Sequence, residues 1–289
     1  MTKSILGIIG GSGFYNLPGL ENARWEKVMT PWGAPSDDIL FAEFEGLPIR
    51  FLPRHGRGHP VPPTAINYRA NIDALKRSGV TDLVSISACG SLREDLAPGH
   101  FVLVDQFVDR TFAREKSFFG PGLVAHVSVA DPVSPLLVDA VEKAAQAEGL
   151  LYTRGGTYLV MEGPQFSTRA ESNLYRSWGM DVIGMTNMPE AKLAREAEIC
   201  YATVAMVTDY DCWHEDHDAV TVADIIANLT KNAENATKLV KHVVERLDTE
   251  RYRTCKCSSA LAHAILTDPK TVPSGTKKKL ELIVGKYLN

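Results

Sequence analysis

Short apolar runs alternate with amphipathic stretches along most of this chain, and no other feature narrows the fold as much. The runs have the length of buried strands, and the stretches between them have the length and period of helices. Strands are predicted over Ser4–Ile9, Ile39–Phe44, Pro48–Leu52, Asp82–Ser87, Phe101–Val104, Thr157–Val160, Val182–Met185 and Cys200–Val207. Helices are predicted over Ile66–Ser78, Pro135–Glu148, Thr168–Trp178 and Pro189–Ala197. A longer one begins at Thr221, where Val222, Ile225, Ile226, Leu229, Ala233, Ala236, Leu239, Val240 and Val243 share a face and Thr221 pairs with Asp224 as a capping box. Such an order is that of an α/β fold, a sheet covered by helices on both faces.

With 289 residues, 45% of them hydrophobic, the chain is long enough for one sizeable core and is read as a single domain. The domain is expected over 1–267, with 268–289 as a C-terminal tail. The seam DPKTVPSG (Asp268–Gly275) precedes Thr276–Asn289, an amphipathic helix expected to dock Leu280, Ile283, Val284 and Leu288 on the same body.

A formal charge of -4 and a pI near 6.1 give no basic field for nucleic acid or an anionic membrane, which leaves small molecules as partners. The first apolar run, in MTKSILGIIGGSG, is too short to span a membrane and is broken by glycines where a secretory segment would continue. It reads as the buried first strand of a cytoplasmic protein. The cysteines Cys89, Cys200, Cys212, Cys255 and Cys257 are too few and too irregular for a disulfide framework. Cys255 and Cys257 are read as two free thiols, with a redox pair or a bond to Cys200 as the alternative.

Three strand ends favour anions. In GIIGGSG (Gly7–Gly13) glycines let backbone N–H groups point at a ligand, although no Walker lysine follows. PRHGRGHP (Pro53–Pro60) offers two arginines and two histidines, and the planar fork of arginine matches phosphate oxygens. SISACGS (Ser85–Ser91) brings small residues and the Ser87 hydroxyl to the carboxyl end of a strand, where α/β sheets bind ligands. Singly these are a tight turn, a solvated basic loop and a strand terminus; together they point to phosphate as a substrate. Farther on, HEDHD (His214–Asp218) lacks the His-Glu-x-x-His spacing of a zinc helix. No metal is expected there, and the segment reads as a loop before the Thr221 helix.

Taken in order, GIIGGSG, RHGRGH, SACGSL, EGPQFSTRAE, MTNMPEA and TDYDCW resemble the trimeric purine nucleoside phosphorylase family. The likeness covers about Ile5–Leu247 and is strongest to the branch acting on methylthioadenosine. It implies a single α/β domain around a large mixed central sheet, assembled as a homotrimer or a dimer of trimers. The implied reaction is reversible phosphorolysis of 5'-methylthioadenosine to adenine and 5-methylthioribose 1-phosphate, in purine and methionine salvage. No cofactor is implied, inorganic phosphate being a co-substrate. By motif, phosphate should meet Ser12, Arg54, His55, Ser87, the backbone of Ala88, and Thr186. The ribose should lie against Met185 and the purine near Phe166 and Ser167, with Asp209 and Asp211 facing the base. Val222 and Ile226 with His59 should line an apolar pocket for the methylthio end, and His126 should reach over from a neighbouring subunit.

The same resemblance makes Asp209 a general acid at purine N7, which requires a carboxyl pKa raised by burial and by Asp211. The family's 6-oxopurine branch carries asparagine at the position of Asp209 and glutamate at that of Ser167, so this chain is expected to favour 6-amino bases. Cys89 has no nucleophilic part in such a reaction and is read as a small buried residue. The competing readings are a phosphorylase preferring adenosine, methylthioinosine or a 6-oxopurine nucleoside, and a non-catalytic nucleoside-binding protein.

Overall fold

β5, Asp82–Ser91, and β11, Cys200–Asp209, are the longest strands and are buried along almost their whole length. Their near-continuous small and apolar residues suit strands covered on both faces. The computed structural model describes residues 4–11, 19–214, 222–249 and 255–288. The other strands are β1 (Leu6–Gly10), β2 (Leu20–Glu26), β3 (Ile39–Phe44), β4 (Leu47–Pro53), β6 (Phe101–Val104), β7 (Gln106–Asp109), β8 (Tyr152–Arg154), β9 (Thr157–Val160) and β10 (Val182–Gly184).

All eleven join one mixed sheet in the order β2-β3-β4-β1-β5-β10-β9-β7, and the sheet forks at β5. Parallel pairing of β5 with β1 runs over Asp82–Ser85, parallel pairing with β11 continues to Gly90, and β10 meets Gly90 and Ser91 antiparallel. β6 and then β8 extend the branch that β11 begins.

The helices are α1 (Tyr68–Arg77), α2 (Pro135–Ala147), α3 (Arg169–Ser177), α4 (Asn187–Glu196), α5 (Val222–Thr249) and α6 (Ser274–Val284). α2 and α5 pack on each other and on β11, while α1 packs on α4, which also lies against β5 and β11. The expected single α/β domain with a large mixed sheet flanked by helices is therefore the fold observed. Among the described residues no helix is long and apolar enough to cross a membrane.

β3, β6 and β9 coincide with their expected spans. β5 and β11 run beyond theirs, because Cys89–Ser91 keep pairing with β10 and β11. Three strands carry no legible signal: β2 is a polar, largely exposed edge strand, and β7 and β8 are too short for a period to show. α4 begins before Pro189, but Met188 leaves the helical region at φ -117 and ψ 133, as the residue before a proline is biased to do. Thr168 caps α3 in a reciprocal box with Glu171. The Thr221–Asp224 pair lies outside the described residues. In the tail, α6 stops at Val284 rather than Asn289; Leu280, Ile283 and Val284 are buried in the main core and Leu288 is half-buried against it.

Candidate active site

A cavity of about 270 Å³ opens beyond the carboxyl ends of β1, β4 and β11 and over the last residues of β5. Gly11, Arg54, His55, His59, Ser87, Ala88, Met185, Thr186, Phe166, Asp209 and Asp211 all line it. Residues far apart in sequence thus share one wall, at the sheet edge where ligands of α/β folds bind.

One end is polar and backed by a buried ion pair. Arg54 is 1% exposed, and its guanidinium donates to Glu190 through Nε (2.8 Å) and Nη2 (3.3 Å). Further bonds run from Nη2 to Ser85 Oγ (2.6 Å) and the Ile9 carbonyl (3.2 Å), and from Nη1 to the Ile86 carbonyl (3.1 Å). The fork expected to meet phosphate is turned inward onto Glu190, so what Arg54 offers the cavity is its fixed positive charge and the remaining Nη1–H. Burial opposes that charge, but the Glu190 carboxylate outweighs it and raises the pKa. Glu190 also accepts from Tyr201 Oη at 2.8 Å. Arg57, the second arginine of the motif, pairs instead with Asp37 at 2.8 Å and lies over the Trp25 ring.

His55 donates from Nδ1 to the Val61 carbonyl at 2.8 Å, and burial pushes its pKa down to about 4. The imidazole is therefore neutral at pH 7, with Nε2 as an acceptor. It stacks on His59, ring centroids 4.1 Å apart. His59 itself sits at φ 59, a left-handed conformation that is strained for a side chain of this size. The Ser87 hydroxyl donates to Asn187 Oδ1 at 3.1 Å, and Thr186 stands at the N-cap of α4 without a capping bond. Behind Met185 a second buried cation, Arg114, donates from Nη1 to the carbonyls of Met185 (2.6 Å) and Met188 (2.7 Å) and from Nε to Glu162 (3.0 Å).

The other end carries two carboxyls. β11 bulges between Val207 and Asp209: Val207 lies opposite Cys89 and Asp209 opposite Gly90, so Thr208 is the inserted residue. Carbonyls around the bulge are satisfied from α5, by Asn228 Nδ2 on Thr208 O (2.7 Å) and Asn232 Nδ2 on Val207 O (3.1 Å), two amides one helical turn apart. Asp209 accepts from Thr208 Oγ1 on Oδ2 (2.7 Å) and from the Asp211 N–H on Oδ1 (2.9 Å). Burial raises its pKa against these two bonds, and the Asp211 carboxylate adds to the rise. Asp211 is 8% exposed at φ 50, burial raises its pKa too, and its Oδ2 is a buried acceptor with no partner among the described residues. Gly90 is required beneath them, since a Cβ there would stand 2.9 Å from Asp209 Oδ1.

Phe166, 53% exposed, lines the mouth. Ser167 is not a lining residue; its hydroxyl lies 3.8 Å from Met161 Sδ, and its side chain opposes the rise in the Asp211 pKa. His126 is exposed and outside the cavity. Ser12 and the side chains of Val222 and Ile226 lie outside the described residues, as does HEDHD after His214. Cys89 lines the cavity, and burial pushes its thiol well up, which leaves it protonated and unreactive. Not foreseen from sequence were the apolar wall of Met161, Ile183 and Met206, the supports Glu190, Asn187 and Arg114, and the clamps Asn228 and Asn232. Glu190 and Asn187 stand inside the motif MTNMPEA, and a buried glutamate there is the one signal that a cationic partner was needed.

A family model, the phosphorylase superfamily, matches residues 5–245. S-methyl-5'-thioadenosine phosphorylase of Cereibacter sphaeroides is 60% identical over 288 residues, covering 99% of each chain. The crystal structure of a methylthioadenosine phosphorylase from an Antarctic soil metagenomic library superposes with a TM-score of 0.92 at 46% identity, over 98% of this chain and 99% of that one. A methylthioadenosine phosphorylase from Schistosoma mansoni, in complex with adenine, gives a TM-score of 0.80 at 33% identity, over 87% of this chain and 99% of its own.

Proposed function

We propose that this chain, which belongs to the phosphorylase superfamily, catalyses reversible phosphorolysis of 5'-methylthioadenosine to adenine and 5-methylthioribose 1-phosphate. The observation that carries the reading is the two-ended cavity, with half-buried Asp209 and buried Asp211 at one end and His55, Ser87 and Thr186 over buried Arg54 at the other.

In the reaction the bond from C1' to purine N9 breaks and its electrons leave with the base, while a phosphate oxygen bonds to C1'. Asp209, protonated by virtue of its raised pKa, gives its proton to N7 and accepts from the 6-amino group with its other oxygen. The unmet acceptor of Asp211 lies beside it, suited to a base that donates hydrogen bonds. At the opposite end neutral His55 favours phosphate that keeps one proton to donate to Nε2, the form HPO4 2- abundant near pH 7. Arg54 supplies a positive field there from below. The reading extends to a homotrimer or dimer of trimers, in which the open Phe166 mouth and the outlying His126 belong to an interface, and to a cytoplasmic place in purine and methionine salvage.

The test is base release from 5'-methylthioadenosine, adenosine and inosine, each with and without phosphate. Phosphate-dependent release of adenine, fastest from the methylthio nucleoside, is expected. Release without phosphate makes the chain a hydrolase, preference for inosine overturns the role of Asp209, and tight binding with no release makes it a nucleoside-binding protein.

A further inference from the structure

At the opposite end of β11 from Asp209, the sulfurs of Cys200, Cys255 and Cys257 lie within 4.8 Å of one another. Cys200 opens the strand, and the other two flank Lys256 at the start of the C-terminal segment, so residues distant in sequence converge on one point. We propose that these three thiols form a binding site for a zinc-class cation whose fourth position stays open to solvent. It is independent of the nucleoside reaction.

Four observations support it. The donors are all soft sulfur, the set that borderline and soft cations select over magnesium or calcium. Zn–S bonds of about 2.3 Å place tetrahedral sulfurs about 3.8 Å apart, so closure from 4.8 Å needs a shift of about 1 Å at most. An outer shell is already built: the Cys257 N–H donates to Cys255 Sγ at 3.3 Å, and Ser134 Oγ lies 3.2 Å from the same sulfur, which orients it as second-shell groups orient metal thiolates. Lastly, Cys255 and Cys257 line a second cavity of about 550 Å³ with Asp105, Gln106, Asp131 and Arg195, which gives the cation an entry path and a fourth ligand from solvent. Binding displaces the thiol protons and ties the first residue of the central strand to the segment that carries α6.

The test uses the full-length, reduced protein after chelator treatment, titrated with Co(II) as a spectroscopic stand-in and then with Zn(II). A thiolate-to-cobalt charge-transfer band saturating at one equivalent per chain and displaced by Zn(II) is expected. Cys255→Ser and Cys257→Ser are each expected to weaken binding by at least about tenfold, while Cys212→Ser, outside the cluster, leaves the band unchanged. Zn(II) at a hundredfold excess over its Kd is expected to raise Tm by about 5 °C without changing kcat for base release. Absence of the band in reduced wild type overturns the proposal, as does a band that survives in both cluster variants. Isolation of a Cys200 disulfide whose reduction restores no metal uptake overturns it too. Because the wild-type titration needs no variant to fold, it decides the matter by itself.

Discussion

Replacing Asp209 by Asn exchanges its acidic O–H for a non-acidic amide NH2 and keeps the shape of the side chain. The Asp209 carboxylate receives one bond from the Asp211 N–H and one from the Thr208 hydroxyl. In the variant, the amide oxygen can keep the first bond. Its NH2 would then face Thr208 Oγ1, which can accept while turning its own proton to the Cys89 carbonyl 3.2 Å away. One N–H is met by Thr208 and the other belongs to a part-buried side chain on the cavity wall, so stability should change by less than about 1 kcal/mol. On the proposed mechanism the chemical loss is the general acid, which contributes about 10²- to 10⁴-fold, or roughly 3 to 5 kcal/mol of transition-state stabilisation. The assay is kcat/KM for phosphate-dependent adenine release, with a urea titration alongside. Wild-type activity should decline as pH rises through the raised pKa of Asp209, because only the protonated form donates; the variant should lose that alkaline limb. Relative preference should move toward a 6-oxo nucleoside, whose O6 can accept from the new amide. A fall of less than about tenfold with unchanged base preference would refute the assignment of Asp209 as acid and base reader.

Other outcomes follow from the same geometry. Glu190→Gln leaves the Arg54 guanidinium buried without its counter-charge and should cost about 3 to 5 kcal/mol in denaturant unfolding, with a raised KM for phosphate; a cost below about 1 kcal/mol would contradict the pairing. Gly90→Ala drives a methyl to within 2.9 Å of Asp209 Oδ1 and should lower kcat about tenfold while KM for phosphate holds; equal losses in both would deny that Gly90 acts through the base end. His55 should destabilise the fold in mild acid. Its pKa is depressed to about 4, so below pH about 6.5 the unfolded chain binds a proton that the folded one refuses, and stability falls by up to about 3 kcal/mol as pH drops across that window. His55→Gln should flatten that part of the pH–stability curve.

What could be read from the chain and what could not divide along physical lines. β3, β6 and β9 are apolar runs bounded by turns, so local pattern suffices to find them. β2, with the sequence LENARWE, forms because β3 offers it an open edge, and no local pattern records that. The cavity residues at the ends of β1, β4 and β5 were legible because glycines, small side chains and strand termini coincide there, whereas those after β11 were reached only through the resemblance carried by TDYDCW. Their hydrogen-bond directions were not: whether the Arg54 fork faces a ligand or the interior depends on Glu190, 136 positions away. Nor can a bulge be seen in one strand, since Thr208 is an extra residue only relative to β5. The asparagines that answer it read as polar interruptions on the apolar stripe of α5.

That inserted threonine has an evolutionary consequence. The polar end of the cavity is framed by regular pairing among β1, β4 and β5, where a shift of register would disturb the whole sheet. The carboxyl end sits on an irregularity where the ladder with β5 loses step before Asp209 rejoins Gly90, and there two asparagine side chains supplement the backbone bond from the Gly99 N–H to the Val207 carbonyl. On the proposed mechanism, substitutions in residues 208–211 would therefore alter the base end without moving the phosphate end, so one end of the scaffold would be free to diversify while the other stays constant.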